Sequence, residues 1–479
     1  MEAVQHCLSS FFNAKDGDGM TKTEIKIFRG DEYRSRVRIV GENEYGRKEI
    51  DKAKQVIDEI REDLRSVRQF EERKLQDKKY AFSSKNVPSV GNNIALISGE
   101  RGQGKTSTLL TLINEILEAE EGKDNRQYVV MDVIDPSRLA DGESLVRIIT
   151  AKIYDNTKEY IDRQYERMRD DKVLSSSATR MSEYFRDIFE RTGTLQNKGQ
   201  FEYYDDLQTM AKLASSSKIC VSVKELVDEY LSVCGCNHQQ GTLIVPIDDL
   251  DLCIQDVFDL CEEIRQHLAT SNIIVLLAAN YRQIQYAVEQ TYLKKYQTLL
   301  QFGNSEQIAN KCTGMTGKYL EKLFPVGHRI EMTDIHSLGR SELENIYVHI
   351  EAMSGDSDSA SVLSEVDFGL QMQLLRAIYE RTGIFLLEGR EGMNPLLPRT
   401  LRELTHYIKF MTEELREVRE NEEGRRKEDI LYNITLFKRF FLNYWCRNYL
   451  SLEQQELLIQ IDDAGGDIGV ACDYGIVQK

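Results

Sequence analysis

The chain has 479 residues, with 79 acidic and 62 basic side chains and a formal net charge of −17. This acidic balance argues against a surface built throughout to bind polyanions, so nucleic acid would fit only in a local basic channel and is not a partner that the charge supports. With 41% hydrophobic and 29% charged residues, the composition is that of a globular chain with room for two or three domains, and not of a disordered one.

The sequence predicts a protein that does not enter a membrane. It contains no run of about 18 apolar residues, the length that a transmembrane helix requires. Residues 1–19 lack the charged start, the apolar stretch and the cleavage site of a signal peptide. We therefore expect a cytoplasmic protein with no membrane partner.

The nine cysteines are scattered along the chain, which favours reduced thiols over disulfides. Cys234 and Cys236 form the one close pair, with His238 nearby. Because no second pair of Cys or His lies at a finger-like spacing, a helix end with a turn at Gly235 is favoured over a metal site.

Residues 1–88 are predicted to form a separate N-terminal leader. Two alternating stretches, 24–28 and 36–40, predict a small strand pair, and a long charged helix follows over about 47–79. The helix has a narrow apolar stripe. A stripe alone does not select its partner, so it could pack on the next domain or on a neighbouring subunit, and packing within the chain is favoured.

From 89 to 333 short apolar runs alternate with amphipathic helices, which is typical of a parallel sheet covered by helices. We therefore predict an α/β core with a five-stranded parallel sheet flanked by helices, interrupted by a polar helical insertion at about 155–218. The predicted strands are Ile94–Ser98, Tyr128–Ile134, Thr242–Ile247, Ile273–Ala279 and His328–Met332. The predicted helices are Thr106–Leu117, Ser144–Tyr154, Val223–Val233, Val257–Leu268 and Lys318–Phe324.

Residues 334–479 are predicted to be all-α, forming a lid and a C-terminal bundle. Helices are expected at about 362–380, 399–418 and 431–461. The turn at 421–427 carries a basic triplet that could touch nucleic acid. Acidic neighbours dilute this charge, so a solvated connection between helices is favoured.

The segment Gly99–Thr106 reads GERGQGKT, a complete GxxxxGK[ST] sequence between a predicted strand and a predicted helix. Glycines permit a backbone whose N–H groups wrap phosphates, and the helix N-terminus adds its positive end. Lys105 is expected to reach the β- and γ-phosphates, and Thr106 to supply a hydroxyl to Mg²⁺. The predicted nucleotide-binding residues are Gly99, Glu100, Arg101, Gly102, Gln103, Gly104, Lys105, Thr106 and Ser107.

Acidic and amide side chains follow two other core strands. Asp248 ends one strand and is the predicted Mg²⁺ ligand, acting through water, while Asp249 is predicted to orient or deprotonate the attacking water. Asp251 is a second candidate for that role. The next strand ends at Asn280, whose amide could bond the attacking water or a γ-phosphate oxygen, although asparagine is also common in turns.

Together these motifs resemble the additional-strand class of P-loop ATPases. GERGQGKT, IDDLD, the strand ending in Asn280, KYLEKLFPVGHRIEM and LPRTLREL follow one another as in that class. Within it the chain is similar to the KAP and STAND-like AAA+ ATPases, many of which serve bacterial anti-phage defence. The segment VIDPS at 133–137 is also similar to large defence ATPases, including the ATPase component of the RADAR system. The resemblance covers roughly residues 90–410.

The resemblance implies ATP and Mg²⁺ as cofactors, a homo-oligomer such as a ring, and a separate sensor or effector protein. It implies that Asn280 is a sensor residue and that Arg399, with Arg402 as the alternative, is a lid arginine that contacts the γ-phosphate. Arg282 and Arg329 are candidates for an arginine finger, but surface arginines are the favoured interpretation. KAP proteins typically carry transmembrane helices between their two nucleotide-binding motifs, whereas the insertion here is hydrophilic, so membrane attachment is not carried over.

Three functions follow from these observations. We expect an ATPase that uses hydrolysis to drive oligomeric assembly or to remodel a partner, in anti-phage defence. A nucleotide-operated switch with slow hydrolysis is the alternative, because Asp249 stands where a longer Glu is usual. A nucleic-acid loader fits least, since no basic module follows the lid. STAND proteins usually continue into helical repeats that are missing here, so we expect either a front part of a larger protein or separate sensing and effector chains.

Overall fold

The computed structural model describes residues 23–28, 45–76, 92–123, 125–138, 143–171, 176–196, 218–236, 241–253, 257–298, 305–351, 369–386, 393–394, 397–418, 423–442 and 450–463. The strands are β1 (Thr23–Phe28), β2 (Ile94–Ser98), β3 (Tyr128–Val130), β4 (Thr242–Asp248), β5 (Ile273–Ala279), β6 (Arg329–Glu331) and β7 (Ile346–Glu351). The α-helices are α1 (Arg47–Gln76), α2 (Lys105–Glu120), α3 (Leu145–Asp171), α4 (Ser176–Gln196), α5 (Ile219–Val233), α6 (Val257–Glu263), α7 (Tyr281–Lys295), α8 (Ser305–Leu323), α9 (Arg340–Glu344), α10 (Leu370–Thr382), α11 (Leu401–Lys409), α12 (Glu423–Phe440) and α13 (Leu452–Asp463). The contacts divide the chain into two units, Gly46–Thr333 and Met1–Tyr45 together with Asp334–Lys479.

The unit Gly46–Thr333 is built on a parallel sheet of five strands in the order β3-β4-β5-β2-β6. Every residue of β2, β4 and β5 is buried, as expected for a parallel sheet with helices on both faces. β5 lies between the strand that precedes the glycine loop and the strand that ends in Asp248. The predicted fold class, a five-stranded parallel sheet flanked by helices, is therefore confirmed.

The long helix α1 packs against this sheet. The apolar residues of its stripe, from Ile50 to Leu64, are buried. Near its end, the guanidinium of Arg68 donates to the carbonyl oxygens of Gly241 at 2.8 Å and Ser271 at 2.6 Å, just before β4 and β5. The stripe therefore packs within the chain. Of the predicted leader, α1 belongs to this unit and β1 to the other.

The predicted insertion begins inside a helix. α3 continues to Asp171, well past its predicted end at Tyr154, and α4 follows. Side chains of Ser177 and Arg180 on α4 donate to Glu229 on α5, at 2.5 and 2.6 Å, so α4 is attached to a helix of the core. The stretch 197–217 lies outside the described residues.

The second unit is mainly helical and has a separate apolar core. It also contains a parallel pair in which β1 pairs with β7. The sequence predicted a partner for β1 at 36–40, which lies outside the described residues, and no strand after 333. β7 was missed although its sequence, IYVHIE, alternates β-branched apolar residues with other side chains, a period of two that is typical of a strand. The single helix predicted over 431–461 is observed as α12 and α13.

Candidate nucleotide-binding site

The loop between β2 and α2 is bent by two glycines. Gly102 and Gly104 have φ values of 90° and 97°, in the left-handed region that residues with a side chain rarely adopt. Gly104 directly precedes α2, and a loop bent in this way before a helix start can present backbone N–H groups to an anion. Arg101 is exposed, whereas Ser107, in the first turn of α2, is buried.

Gly99 is required because the space beside it is filled. A Cβ at this position would lie 2.6 Å from Oε1 of Gln103 and 2.8 Å from Cβ of Met332. Oε1 of Gln103 accepts a hydrogen bond from the N–H of Glu100 at 2.6 Å and so braces the loop from inside. The N–H of Met332, just after β6, donates to the carbonyl of Ser98 at 2.7 Å. The edge strand therefore supports the base of the loop.

Lys105 begins α2 and is buried, with 7% of its surface exposed. Its ammonium group donates to the carbonyl oxygens of Gly99 at 2.9 Å and Glu100 at 3.3 Å. These two contacts hold the side chain across the loop. Because an ammonium group has three donors, the third can meet a phosphate oxygen.

Asp248, the last residue of β4, lies beside the start of α2 and is only 8% exposed. Burial and the neighbouring Asp249 raise the pKa of Asp248 to about 6, although a hydrogen bond from the hydroxyl of Thr106 lowers it. Asp249 has a φ of 57° and is the only residue other than glycine, within the described part of the chain, with a positive φ. Its N–H donates to the carbonyl of Ala278 at 3.1 Å, so β5 holds this turn.

Asp251 follows in a short 3₁₀ turn, Leu250–Leu252. Its Oδ1 is buried and has no hydrogen-bond partner among the described residues. Burial lowers the pKa of Lys105, and of the carboxylates that oppose this effect Asp251 acts most strongly, ahead of Asp249 and Asp248. Sequence reasoning named Asp251 only as a second candidate for orienting water, and the spacing of the three aspartates could not reveal this relation to the lysine.

Asn280 follows β5 and contacts the loop. Its Oδ1 accepts hydrogen bonds from the N–H groups of Arg282 at 3.0 Å and Gln283 at 3.3 Å, which caps α7. Its Nδ2 donates to Oε2 of Glu100 at 2.9 Å. The same side chain thus caps a helix, as an asparagine in a turn does, and lies at the predicted site.

These residues fit Mg²⁺. Thr106 provides a hydroxyl and Asp248 a carboxylate that are already hydrogen-bonded to each other. Mg²⁺ is usually bound through one or two protein oxygens together with water and substrate phosphates. A buried carboxylate with a raised pKa is also a group whose charged form a cation would stabilise.

The four predicted arginines lie in two different units. Arg399 and Arg402 belong to the second unit, around the start of α11, and the role implied for them stays a prediction. Arg329 lies 4.2 Å from the ring centre of Tyr281, and Arg282 is exposed.

Two further predictions from the sequence concerned the close pair of cysteines and a membrane-spanning helix. α5 ends at Val233 and Gly235 has a φ of 82°, which confirms the helix end and turn at Cys234 and Cys236. His238 lies outside the described residues. Across the described ranges, no helix is both long and apolar enough to cross a membrane.

The segment of the chain that contains this site matches a known protein family. Residues 86–302 match the KAP family P-loop domain, whereas no curated protein matches the chain. The matched segment includes the loop Gly99–Thr106, the three aspartates at the end of β4 and Asn280. All of them lie at the carboxyl ends of neighbouring parallel strands. The part of the chain that carries the site is therefore similar to the KAP family P-loop domain, which supports a nucleotide-binding P-loop NTPase of KAP type.

Proposed function

We propose that the chain binds ATP with Mg²⁺ at the carboxyl ends of β2, β4 and β5 and hydrolyses it. The observation that carries the proposal is the joint placement of Lys105 across the glycine loop and of Thr106 against Asp248. An ammonium group in this position can bind phosphate oxygens, and the hydroxyl and the carboxylate can bind the metal ion that accompanies the phosphates. The match to the KAP family P-loop domain supports the same conclusion.

The residues of the site divide into those that bind phosphate, those that bind Mg²⁺ and those that align water. The ammonium of Lys105 binds the β- and γ-phosphate oxygens, and the backbone N–H groups of Gly102–Gly104 surround them. Thr106 and Asp248 hold Mg²⁺, which neutralises charge that develops on the phosphate oxygens. Asp249 and Asn280 align the attacking water, as suits a carboxylate and an amide at the ends of neighbouring strands.

Replacing Lys105 tests the assignment directly. Lys105→Ala should lower nucleotide affinity and phosphate release by about 10²-fold or more, because the charge on the phosphates loses its one buried ammonium contact in the loop. Phosphate release and binding of a fluorescent ATP analogue would be measured on the purified chain. Lys158→Ala, an exposed lysine on α3, is the matched control. Full activity of Lys105→Ala would refute the proposal.

A slow nucleotide-operated switch is the second candidate function. Asp249 favours it, because an aspartate is shorter than a glutamate and its backbone is held in a left-handed conformation at φ 57°. A carboxylate that reaches less far aligns water less well. Tight ATP binding with negligible phosphate release would favour the switch over the ATPase.

We further propose that ATP binding and hydrolysis drive homo-oligomeric assembly or remodel a separate partner protein, in anti-phage defence. The sequence resemblance to KAP and STAND-like ATPases supports this. Mass photometry without nucleotide, with ADP and with ATP, on the samples used for phosphate release, tests the assembly. A mass that is the same in all three conditions would contradict it.

A further inference from the structure

Glu100, the second residue of the glycine loop, is hydrogen-bonded to Asn280, 180 residues away in the chain. Oδ1 of Asn280 is committed to the N–H groups at the start of α7. The amide of Asn280 therefore cannot rotate by about 180° without losing the helix cap, and its Nδ2 must face the loop. An amide nitrogen has two N–H donors, of which one goes to Glu100 at 2.9 Å.

Glu100 also contacts the rest of the loop through its backbone. Its carbonyl accepts from the ammonium of Lys105 at 3.3 Å, and its N–H donates to Oε1 of Gln103 at 2.6 Å. The carboxylate, in contrast, belongs to an exposed residue. The backbone contacts account for the shape of the loop, whereas the carboxylate accepts the hydrogen bond from the asparagine, and its charge raises the pKa of Lys105 less strongly than the three aspartates do.

We propose that Glu100 is a positioning residue for hydrolysis that acts through Asn280. The carboxylate fixes one N–H of the amide, and the helix cap fixes its oxygen. The second N–H is then held in one direction and can bond the attacking water or a γ-phosphate oxygen without reorganising. This inference rests on the proposed function, since it assigns Glu100 to the ATPase reaction of the same site.

Four variants test the role of Glu100. Glu100→Ala removes the acceptor, whereas Glu100→Gln keeps an oxygen that can accept from Asn280 and removes only the charge. Asn280→Ala and the double variant show whether Glu100 acts through the asparagine. Glu118→Ala, an exposed glutamate near the end of α2, controls for loss of charge. The readouts are kcat, KM for ATP, and the affinities for Mg·ADP with and without aluminium fluoride.

Glu100→Ala should lower kcat about 10-fold with KM changed less than about 2-fold, because the contact orients a group and does not hold the substrate. Glu100→Gln should stay close to the wild type. In the Asn280→Ala background, Glu100→Ala should have no further effect. Affinity for the aluminium fluoride complex should fall about 10-fold in Glu100→Ala while affinity for Mg·ADP is unchanged.

Three results would overturn the inference: wild-type kcat in Glu100→Ala, equal loss in Glu100→Gln, or an undiminished effect of Glu100→Ala when Asn280 is absent. Any of these three results in a chain whose wild type turns over ATP would refute the inference alone, whereas a wild-type chain that binds nucleotide without turnover would refute the proposed hydrolysis and with it this role of Glu100. A chain that binds no nucleotide refutes both.

Discussion

Asp248 carries a buried carboxylate, and this burial has a consequence for the stability of the nucleotide-free chain. Its pKa in the folded chain, about 6, is above the ordinary value of 3.8. The ionised form is therefore less stable in the folded than in the unfolded state. The penalty is absent below the ordinary value, grows as pH rises towards 6, and is fully present above it.

We therefore expect Asp248→Asn to raise the thermal midpoint of the nucleotide-free chain by a few degrees at pH 7.5. The difference from the wild type should shrink when pH is lowered from 7.5 to 4.5, because the wild-type carboxyl then becomes neutral. The same variant should lose Mg²⁺-dependent ATP binding. Differential scanning fluorimetry at both pH values measures the first effect, and an equal midpoint shift at both would contradict the stated cause.

The roles of the other two aspartates are separable by substitution. Asp249→Asn should leave ATP binding intact and slow turnover by about 10²-fold, because it removes the carboxylate predicted to align or deprotonate water. The two quantities are measured by analogue binding and by phosphate release. If turnover is unchanged, Asp251→Asn becomes the variant expected to lose it, since one oxygen of Asp251 is buried without a hydrogen bond.

At the scale of elements, α1 shows how a polar contact secures a helix to a sheet. Arg68 is buried, which lowers its pKa, and it donates to two backbone carbonyls and to the hydroxyl of Thr242. Without the guanidinium, these acceptors would be buried and unsatisfied. Such groups cost about 1–3 kcal/mol each.

Arg68→Met should therefore lower the free energy of unfolding by about 2–3 kcal/mol. Arg65→Met is the control, because Arg65 lies on the same helix and, among the described residues, pairs with the exposed Glu62; it should change stability by less than about 0.5 kcal/mol. Urea unfolding followed by circular dichroism compares the two. Similar midpoints for both variants would show that the contacts of Arg68 do not stabilise the docking of α1.

Elements with strong local patterns were predicted from the sequence, and weak ones were not. β2 and β5 have their predicted bounds, because each is an uninterrupted apolar run ended by a polar residue. β3 is shorter than predicted and ends at Val130, although Ile134 still makes a single bridge to Ile247. α8 begins at Ser305, ahead of its predicted start at 318, because its first turns have few buried residues to mark the periodicity.

At the scale of the whole molecule, the unit Gly46–Thr333 contains the five-stranded sheet, one hydrophobic core and the loop with its aspartates. A segment with its own core can fold independently. We expect a fragment of residues 46–333 to fold and to bind Mg·ATP within about threefold of the full chain, as measured by analogue fluorescence and circular dichroism.

The rate of ATP turnover by the same fragment tests whether residues outside 46–333 contribute to catalysis. Binding with lost turnover would assign a catalytic contribution to residues outside the fragment, among which Arg399 is the candidate. An unfolded fragment, or one that binds nucleotide more than about 10-fold more weakly, would contradict the independence of this unit.

The sequence by itself determined the P-loop class, the strands of the core and the identity of the loop residues. Apolar runs, helical periodicity and glycine spacing are local properties, and each can be read without knowing which segments meet. Only the tertiary structure decided that α1 packs on the sheet, that β1 pairs with β7, and that Glu100 bonds Asn280. These contacts join segments far apart in the chain. Strand order and helix packing bring them together, and no local pattern encodes that order.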